Sequence, residues 1–328
     1  MAAITLGIGT SHSPMLSIEP GLWEQWGRRD TANPMLFDRT GRQVTFDELV
    51  AVAPSGIEAE LHTEVYARKA ARCRVALDQL AETIAEARLD LLVLVGDDQN
   101  EHIGEDNLPS ILVYHGPSIR NTKVEVPDGA PAEVAQMLHG YFEPDADRDY
   151  PVHTGAARHL IDGLLERQFD IASSVRLPAA RAEGHALQFV HRRLLPPDLP
   201  IVPILLNTYV PPTQPRAARC WALGRAIADT FAGYDGAERI GVLASGGLSH
   251  FVVWEDLDRE IIAALASGDA GYLQTMPEGL LKAGTSEIKN WITTAGACSG
   301  LRFDLVDYIP GYRTRAATGT GLTFATWR

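Results

Sequence analysis

His12 stands in Gly9-Thr10-Ser11-His12-Ser13-Pro14, directly after the apolar run Ile4 to Ile8. His250 closes Ser245-Gly246-Gly247-Leu248-Ser249-His250, directly after Ile240 to Ala244. His102 follows a third run, Leu91 to Val95, through Gly96-Asp97-Asp98-Gln99-Asn100-Glu101. His185 and His191 lie in Glu183-Gly184-His185-Ala186 and Phe189-Val190-His191-Arg192. Short apolar, β-branched runs bounded by glycine read as buried strands. In open α/β sheets, ligands bind in the crevice beyond the carboxyl ends of the strands. Imidazoles placed there point to metal binding or acid–base chemistry.

The elements that would position these histidines alternate between strand and helix. Strands are expected at Ile4–Ile8, Leu91–Val95, Ser110–Tyr114, Ile201–Leu206, Ile240–Ala244 and Leu322–Trp327, with an edge strand at Val124–Pro127. Helical spacing of apolar residues covers Glu58–Arg88, Ala130–Phe142, His153–Arg167, Arg216–Phe231, Leu257–Ala266, Glu278–Ala283 and Ser286–Cys298. Pro211-Pro212-Thr213-Gln214-Pro215 forces a loop. No internal repeat, low-complexity tract or linker interrupts the pattern. The expected architecture is a single α/β domain over 1–328, a mixed central β-sheet flanked by helices. The stretch from about 19 to 56, with Trp23, Trp26, Phe37 and Phe46, is too aromatic for a disordered linker and reads as a lid insertion or a peripheral packed loop.

Bulk composition excludes several classes of function. At 328 residues, 45% hydrophobic and 22% charged, the chain has the make-up of a soluble globular protein with ample length for a core. A formal charge of −13 argues against nucleic acid and anionic membrane as partners, though it leaves room for a local basic pocket. Cys73, Cys220 and Cys298 are odd in number and lack CxxC spacing, so buried thiols in a reducing cytoplasm are expected. The N-terminus has no basic n-region or long apolar segment, and no run approaches the ~18 to 20 apolar residues of a membrane span. The remaining histidines, His62, His115, His139, His153, His159 and His191, read as surface or packing residues.

Four segments in order resemble class III extradiol ring-cleavage dioxygenases, typified by the protocatechuate 4,5-dioxygenase β subunit. They are Thr10-Ser11-His12-Ser13-Pro14; Ile201 to Pro212 with Arg219-Cys220-Trp221-Ala222-Leu223-Gly224; Gly246-Gly247-Leu248-Ser249-His250, similar to the family's Gly-Gly-Met-Ser-His; and Ser286-Glu287, four residues before Trp291. The resemblance implies that fold, a non-haem Fe(II) cofactor held by two histidines and one carboxylate, and cleavage of a catechol-type aromatic by O2. It makes His12 one histidine ligand and Glu287 the carboxylate. His250 becomes the base that takes a proton from a substrate hydroxyl, and His185 a second acid–base or substrate-orienting histidine. The implied substrates are protocatechuate-, gallate- or methylgallate-like diols. A ring carboxylate would call for a partner such as Thr294, Arg302, Arg313 or Arg315. A homo-oligomer, a dimer, is the expected assembly.

The chain departs from the family at the second histidine ligand. Where the family has Asp-His after its second strand, this chain has Asp98-Gln99, and His102 comes three residues later. His102 replaces the missing ligand through a shifted loop, or Gln99 or Asp98 coordinates, or no catalytic iron binds. Two other readings stand beside ring cleavage: a same-fold binding protein with a degenerate metal site, and a Zn-dependent hydrolase or lyase.

Overall fold

The apolar runs become a single sheet. In a computed structural model of the chain, in which residues 3–178 and 182–328 are described, the strands are β1 (Ala3–Thr10), β2 (Leu91–Asp97), β3 (Ile111–Tyr114), β4 (Ser118–Asn121), β5 (Arg148–Pro151), β6 (Ala172–Ser174), β7 (Ile201–Leu206), β8 (Arg239–Ser245), β9 (Phe303–Tyr312) and β10 (Gly319–Trp327). Eight of them form a mixed sheet ordered β6-β3-β7-β2-β8-β1-β10-β9. β1, β8, β2 and β7 run parallel, while β10 and β9 are antiparallel on one side and β3 is antiparallel to β7 on the other. β4 and β5 pair as a separate ribbon. Parallel strands are buried on both faces, and every residue of β2 and β7 is buried.

Two apolar layers cover the faces. One joins the helices Thr154–Glu166, Ala217–Phe231, Glu255–Ser267 and Ile288–Ala297 to the sheet through residues such as Leu160, Phe231, Ile261 and Trp291. The other is built from the helices Thr63–Ala87 and His185–Arg193 through Leu80, Ile84 and Phe189. The helix Ile288–Ala297 is fully buried and lies close on β1. Gly9 makes room for it: a Cβ there would meet the Trp291 ring at 2.2 Å. That approach sets the height of Glu287, one residue before the helix.

Several elements differ from the sequence reading. The expected edge strand Val124–Pro127 is irregular, and the ribbon β4–β5 lies to either side of it. The expected helix Glu278–Ala283 is a turn running into a 3-10 helix, Ala283–Glu287. The helix expected over Glu58–Arg88 divides into a 3-10 turn, Ile57–Glu60, and the helix Thr63–Ala87. β9, unforeseen, is an edge strand with Asp304, Asp307 and Pro310 in it, a composition typical of a protected edge. The three cysteines are free and buried, and burial pushes the Cys73 and Cys220 thiols up to about 12. No helix among the described residues is long and apolar enough to cross a membrane.

The 19–56 stretch packs on the body of the protein. Trp23 is fully buried, donates Nε1–H to Met15 O and packs on Tyr66. Asp30 accepts a two-pronged bond from Arg313 at 2.7 and 2.9 Å. A Thr45–Glu48 capping box starts the helix Phe46–Val52. Phe37 and Arg39 lie behind His250 and Phe251.

Candidate metal and acid–base site

β1, β8 and β2 are adjacent and parallel, so all three release the chain at one edge of the sheet. β1 delivers His12, β8 delivers the Gly246–His250 loop, and β2 ends on Asp97. Glu287 comes in from the end of the 3-10 helix, and His185 is the first residue of its own helix. His12, Asp97, His185 and Glu287 bring one ligand atom each to within 4.8 Å of one another. With Gln99, His250 and Tyr209, three of these line a cavity of about 320 Å³, a size that suits a small aromatic ring.

Hydrogen bonds set which imidazole nitrogen faces the cluster. Ser245 Oγ donates to Ala186 O at 2.7 Å, so it accepts from His12 Nδ1–H at 3.0 Å. In the neutral ring this places the lone pair on Nε2, which lies 3.3 Å from Glu287 Oε2 and 3.9 Å from Asp97 Oδ1. A ligating histidine is oriented through its second nitrogen in this way. The Tyr141 hydroxyl donates to the His12 carbonyl and holds the backbone from the far side.

Glu287 is fully buried yet has partners on both oxygens. Oε1 accepts from His250 Nε2 at 2.9 Å and Tyr209 Oη at 3.2 Å, and Oε2 accepts from Gly247 N at 2.8 Å. Burial alone would raise its pKa, but His250 and His12 beside it hold the carboxyl well below the usual range. Gly246, at φ +152°, brings the backbone so close that a Cβ would meet Glu287 Cβ at 2.9 Å. His250 also donates Nδ1–H to Leu248 O at 2.8 Å. Burial opposes charge on this ring, and the Glu287 carboxylate outweighs it, so its pKa rises.

The opposite wall is a second histidine–carboxylate arrangement. Glu101 grips His185 twice, at the backbone N (2.9 Å) and at Nδ1 (2.8 Å). His185 Nε2 then points at Asp97 Oδ2, 3.6 Å away, and its ring meets His12 edge-on at 4.6 Å. Burial opposes charge on His185, but Glu101 and Asp97 raise its pKa to about 10. Asp97, wholly buried and close to Glu287, is pushed up to about 6. Two buried carboxylates this close repel one another, and a divalent cation would relieve both. The donor set, imidazole and carboxylate, suits a first-row transition metal.

Of the residues singled out in the sequence, His12, His185, His250, Glu287 and Gln99 all line this cavity. Gln99 donates Nε2–H to Asp97 Oδ2 at 3.2 Å. His102 is turned elsewhere: its Nε2 accepts the Gly184 N–H at 2.7 Å, and it is outside the four-residue cluster. Asp98 ties its own loop by accepting from the backbone N–H of Glu101, His102 and Ile103. His191, read as surface or packing, is buried and bonded to Glu183 at 2.8 Å. Arg313, offered as a partner for a ring carboxylate, is committed to Asp30. Asp97, Glu101 and Tyr209 were not foreseen as site residues. Asp97 carried one readable signal, its place at the carboxyl end of a central strand.

Over 144 residues, 43% of this chain and 43% of the relative, the sequence is 36% identical to a 2,3-dihydroxyphenylpropionate/2,3-dihydroxicinnamic acid 1,2-dioxygenase of Comamonas testosteroni. The chain thus matches less than half the length of that curated relative. A solved structure of an uncharacterized protein, JW3007, from Escherichia coli K12 aligns over 77% of this chain and 91% of its own, at 14% identity and a TM-score of 0.40, too low to argue from. No protein-family profile matches the chain.

Proposed function

We propose that the chain is an Fe(II)-dependent extradiol dioxygenase that opens a catechol-type ring with O2, and that 1–328 is one catalytic domain. The observation that carries this reading is the convergence of His12, Asp97, His185 and Glu287 at the ends of adjacent parallel strands, beside a ring-sized cavity. The partial identity to a dioxygenase acting on a 2,3-dihydroxyphenyl compound supports it.

His12 Nε2 and Glu287 would hold the metal, with Asp97 as the third donor in place of the histidine the chain lacks at Gln99. The bound ion would supply a Lewis acid for the diol and a route for electrons to O2. His250, between Glu287 and the cavity, is the acid–base group for one substrate hydroxyl: it accepts that proton only in the neutral form, after giving up the Nε2 proton it shares with Glu287. His185, clamped by Glu101 with its Nε2 towards Asp97, lines the cavity where it would orient the substrate. Tyr141 fixes the His12 backbone, and Tyr209 keeps Glu287 in place. Both atoms of O2 finish in the ring-opened product. The 19–56 stretch forms the fixed wall behind His250.

Metal analysis of anaerobically prepared protein, with O2 uptake on a panel of catechols, tests this reading. One iron per chain and ring-opened products are expected. His12→Ala, Glu287→Ala and Asp97→Ala should each lose iron and turnover, since a weak divalent site does not survive loss of a ligand. His102→Ala should keep iron. Full iron in the first three variants refutes the ligand assignment. Catechol binding without metal or turnover would make the chain a binding protein, and zinc with hydrolysis would make it a hydrolase.

A further inference from the structure

A second cavity, of about 480 Å³, opens on the other side of the helix Ala132–Tyr141 from the cluster. Its charged lining is arginine: Arg74 from the helix Thr63–Ala87, and Arg192 and Arg193 from the end of the helix His185–Arg193, against one carboxylate, Glu19. Arg192 reaches Glu143 at 3.4 Å through Nη1, while its Nε is buried with no hydrogen-bond partner among the described residues. Ser17 Oγ, in the same wall, is buried and likewise without a partner. Neither Arg74 nor Arg193 forms a salt bridge with a described residue; the ion pairs of this region are those of Arg192 and of Arg72 with Asp307. On a chain of net charge −13, gathering guanidinium groups around an uncommitted hydroxyl is a costly arrangement unless something anionic meets them.

The rest of the wall is mixed, with Met15, Leu16, Ile18 and Leu77 beside Gln136 and His139. A cavity that sets guanidinium groups beside a few apolar side chains and neutral hydrogen-bonding groups suits a small organic anion with a carboxylate on a compact body. Guanidinium groups bind carboxylate oxygens through paired N–H donors, and a hydroxyl completes the set. We propose that this cavity binds a small organic carboxylate, at a site separate from the His12–Glu287 cluster and independent of the ring-opening reading.

The same wall touches the metal cluster's support. Ser17 follows His12 by five residues, and Gly140 of the intervening helix packs so tightly on it that a Cβ would lie 2.3 Å from Ser17 Cβ. That helix faces the arginine cavity with Gln136, His139 and Gly140, and the other cavity with Met137, Leu138 and Tyr141.

Calorimetric titration of the full chain with benzoate at low ionic strength is the test. Saturable binding is expected, weakening as salt screens the arginines. Arg74→Gln with Arg193→Gln should weaken it at least about tenfold, and Arg74→Gln alone by less; both side chains are exposed, so neither change cuts into the core. His12→Ala should leave benzoate affinity unchanged. Benzamide, which has the ring without the charge, should bind at least about tenfold more weakly than benzoate, and so should inorganic phosphate, which has the charge without the ring. Absence of benzoate binding, full affinity in the double variant, or loss in His12→Ala would overturn the site. Benzamide or phosphate binding as tightly as benzoate would overturn the assignment to an organic carboxylate.

Discussion

The two cavities on either side of the helix Ala132–Tyr141 are built on opposite plans. The smaller, about 320 Å³, takes its functional groups from strand ends and helix starts, so backbone geometry fixes His12, Glu287 and His185 before any side chain chooses a rotamer. The larger, about 480 Å³, takes its charge from long arginines on helix surfaces, whose position depends on flexible stems. The first fixes its imidazoles and carboxylates through the backbone; the second presents its charge on mobile stems. Size is therefore the wrong guide to chemistry in this molecule. Net charge is equally poor, since a chain at −13 places three arginines around one cavity.

If strand-end rigidity is what separates them, the largest effects should come from groups held by the sheet. His250→Gln should keep iron but slow turnover by roughly two to four orders of magnitude, the usual worth of general acid–base catalysis. Its backbone is tied to Thr285 Oγ1 at 3.1 Å, so the loop should survive the change. Iron content and steady-state rate on one catechol decide the matter: loss of iron along with activity would make His250 a ligand. Benzoate binding should be unaffected by the same variant.

Gly140→Ala tests whether the cavities are independent. The added methyl would collide with Ser17 Cβ and Oγ at 2.3 and 2.4 Å, so the helix or the Ser17 loop must shift. Overpacking of this kind typically costs about 1 to 3 kcal/mol. The displaced helix also carries Tyr141, whose hydroxyl holds the His12 carbonyl. Lower thermal stability with weaker binding of both benzoate and iron is expected. A stable variant with one function intact would show that the helix is a partition rather than a link.

The His12–Glu287 cluster is far more legible in the sequence than the arginine cavity, for a physical reason. Strand-end groups follow short buried runs that glycine and β-branched residues announce, so β7 emerges at Ile201–Leu206 as read and His12 and His250 sit just beyond strands. Asp97 escaped because it is the last residue of β2 and reads as the start of its acidic loop. Tyr209 escaped because its partner Glu287 is 78 residues away, and nothing local registers such a pairing. Arg74 and Arg193 come to one cavity from two different helices, and each alone is an ordinary solvated charge. The same logic hid β9 and the β4–β5 ribbon, whose polar residues lack a continuous apolar signal.

The smallest predicted effect concerns what lies beneath the strand-end site. Asp258 is fully buried under the His250 loop, accepting from Ser249 N and Oγ and from Tyr308 Oη, each at 2.8 Å. Burial raises its pKa from 3.8 to about 6, against the pull of those hydrogen bonds. The folded chain therefore holds this proton more tightly than the unfolded chain does, and its contribution to stability falls as pH rises through the folded value. Between about pH 5 and about pH 7 the loss from this one group is about 1 kcal/mol. Asp97 shifts in the same direction, so the wild-type curve alone cannot isolate Asp258. Asp258→Asn can: an amide keeps an oxygen for Ser249 N, the two hydroxyls can turn to accept from its nitrogen, and the ionisation is gone. Denaturant midpoints of variant and wild type should converge or cross as pH rises, with the variant gaining about 1 kcal/mol relative to the wild type across that interval. Parallel curves would mean that Asp258 stays charged at both ends of the range and that its hydrogen bonds, rather than its burial, set its pKa.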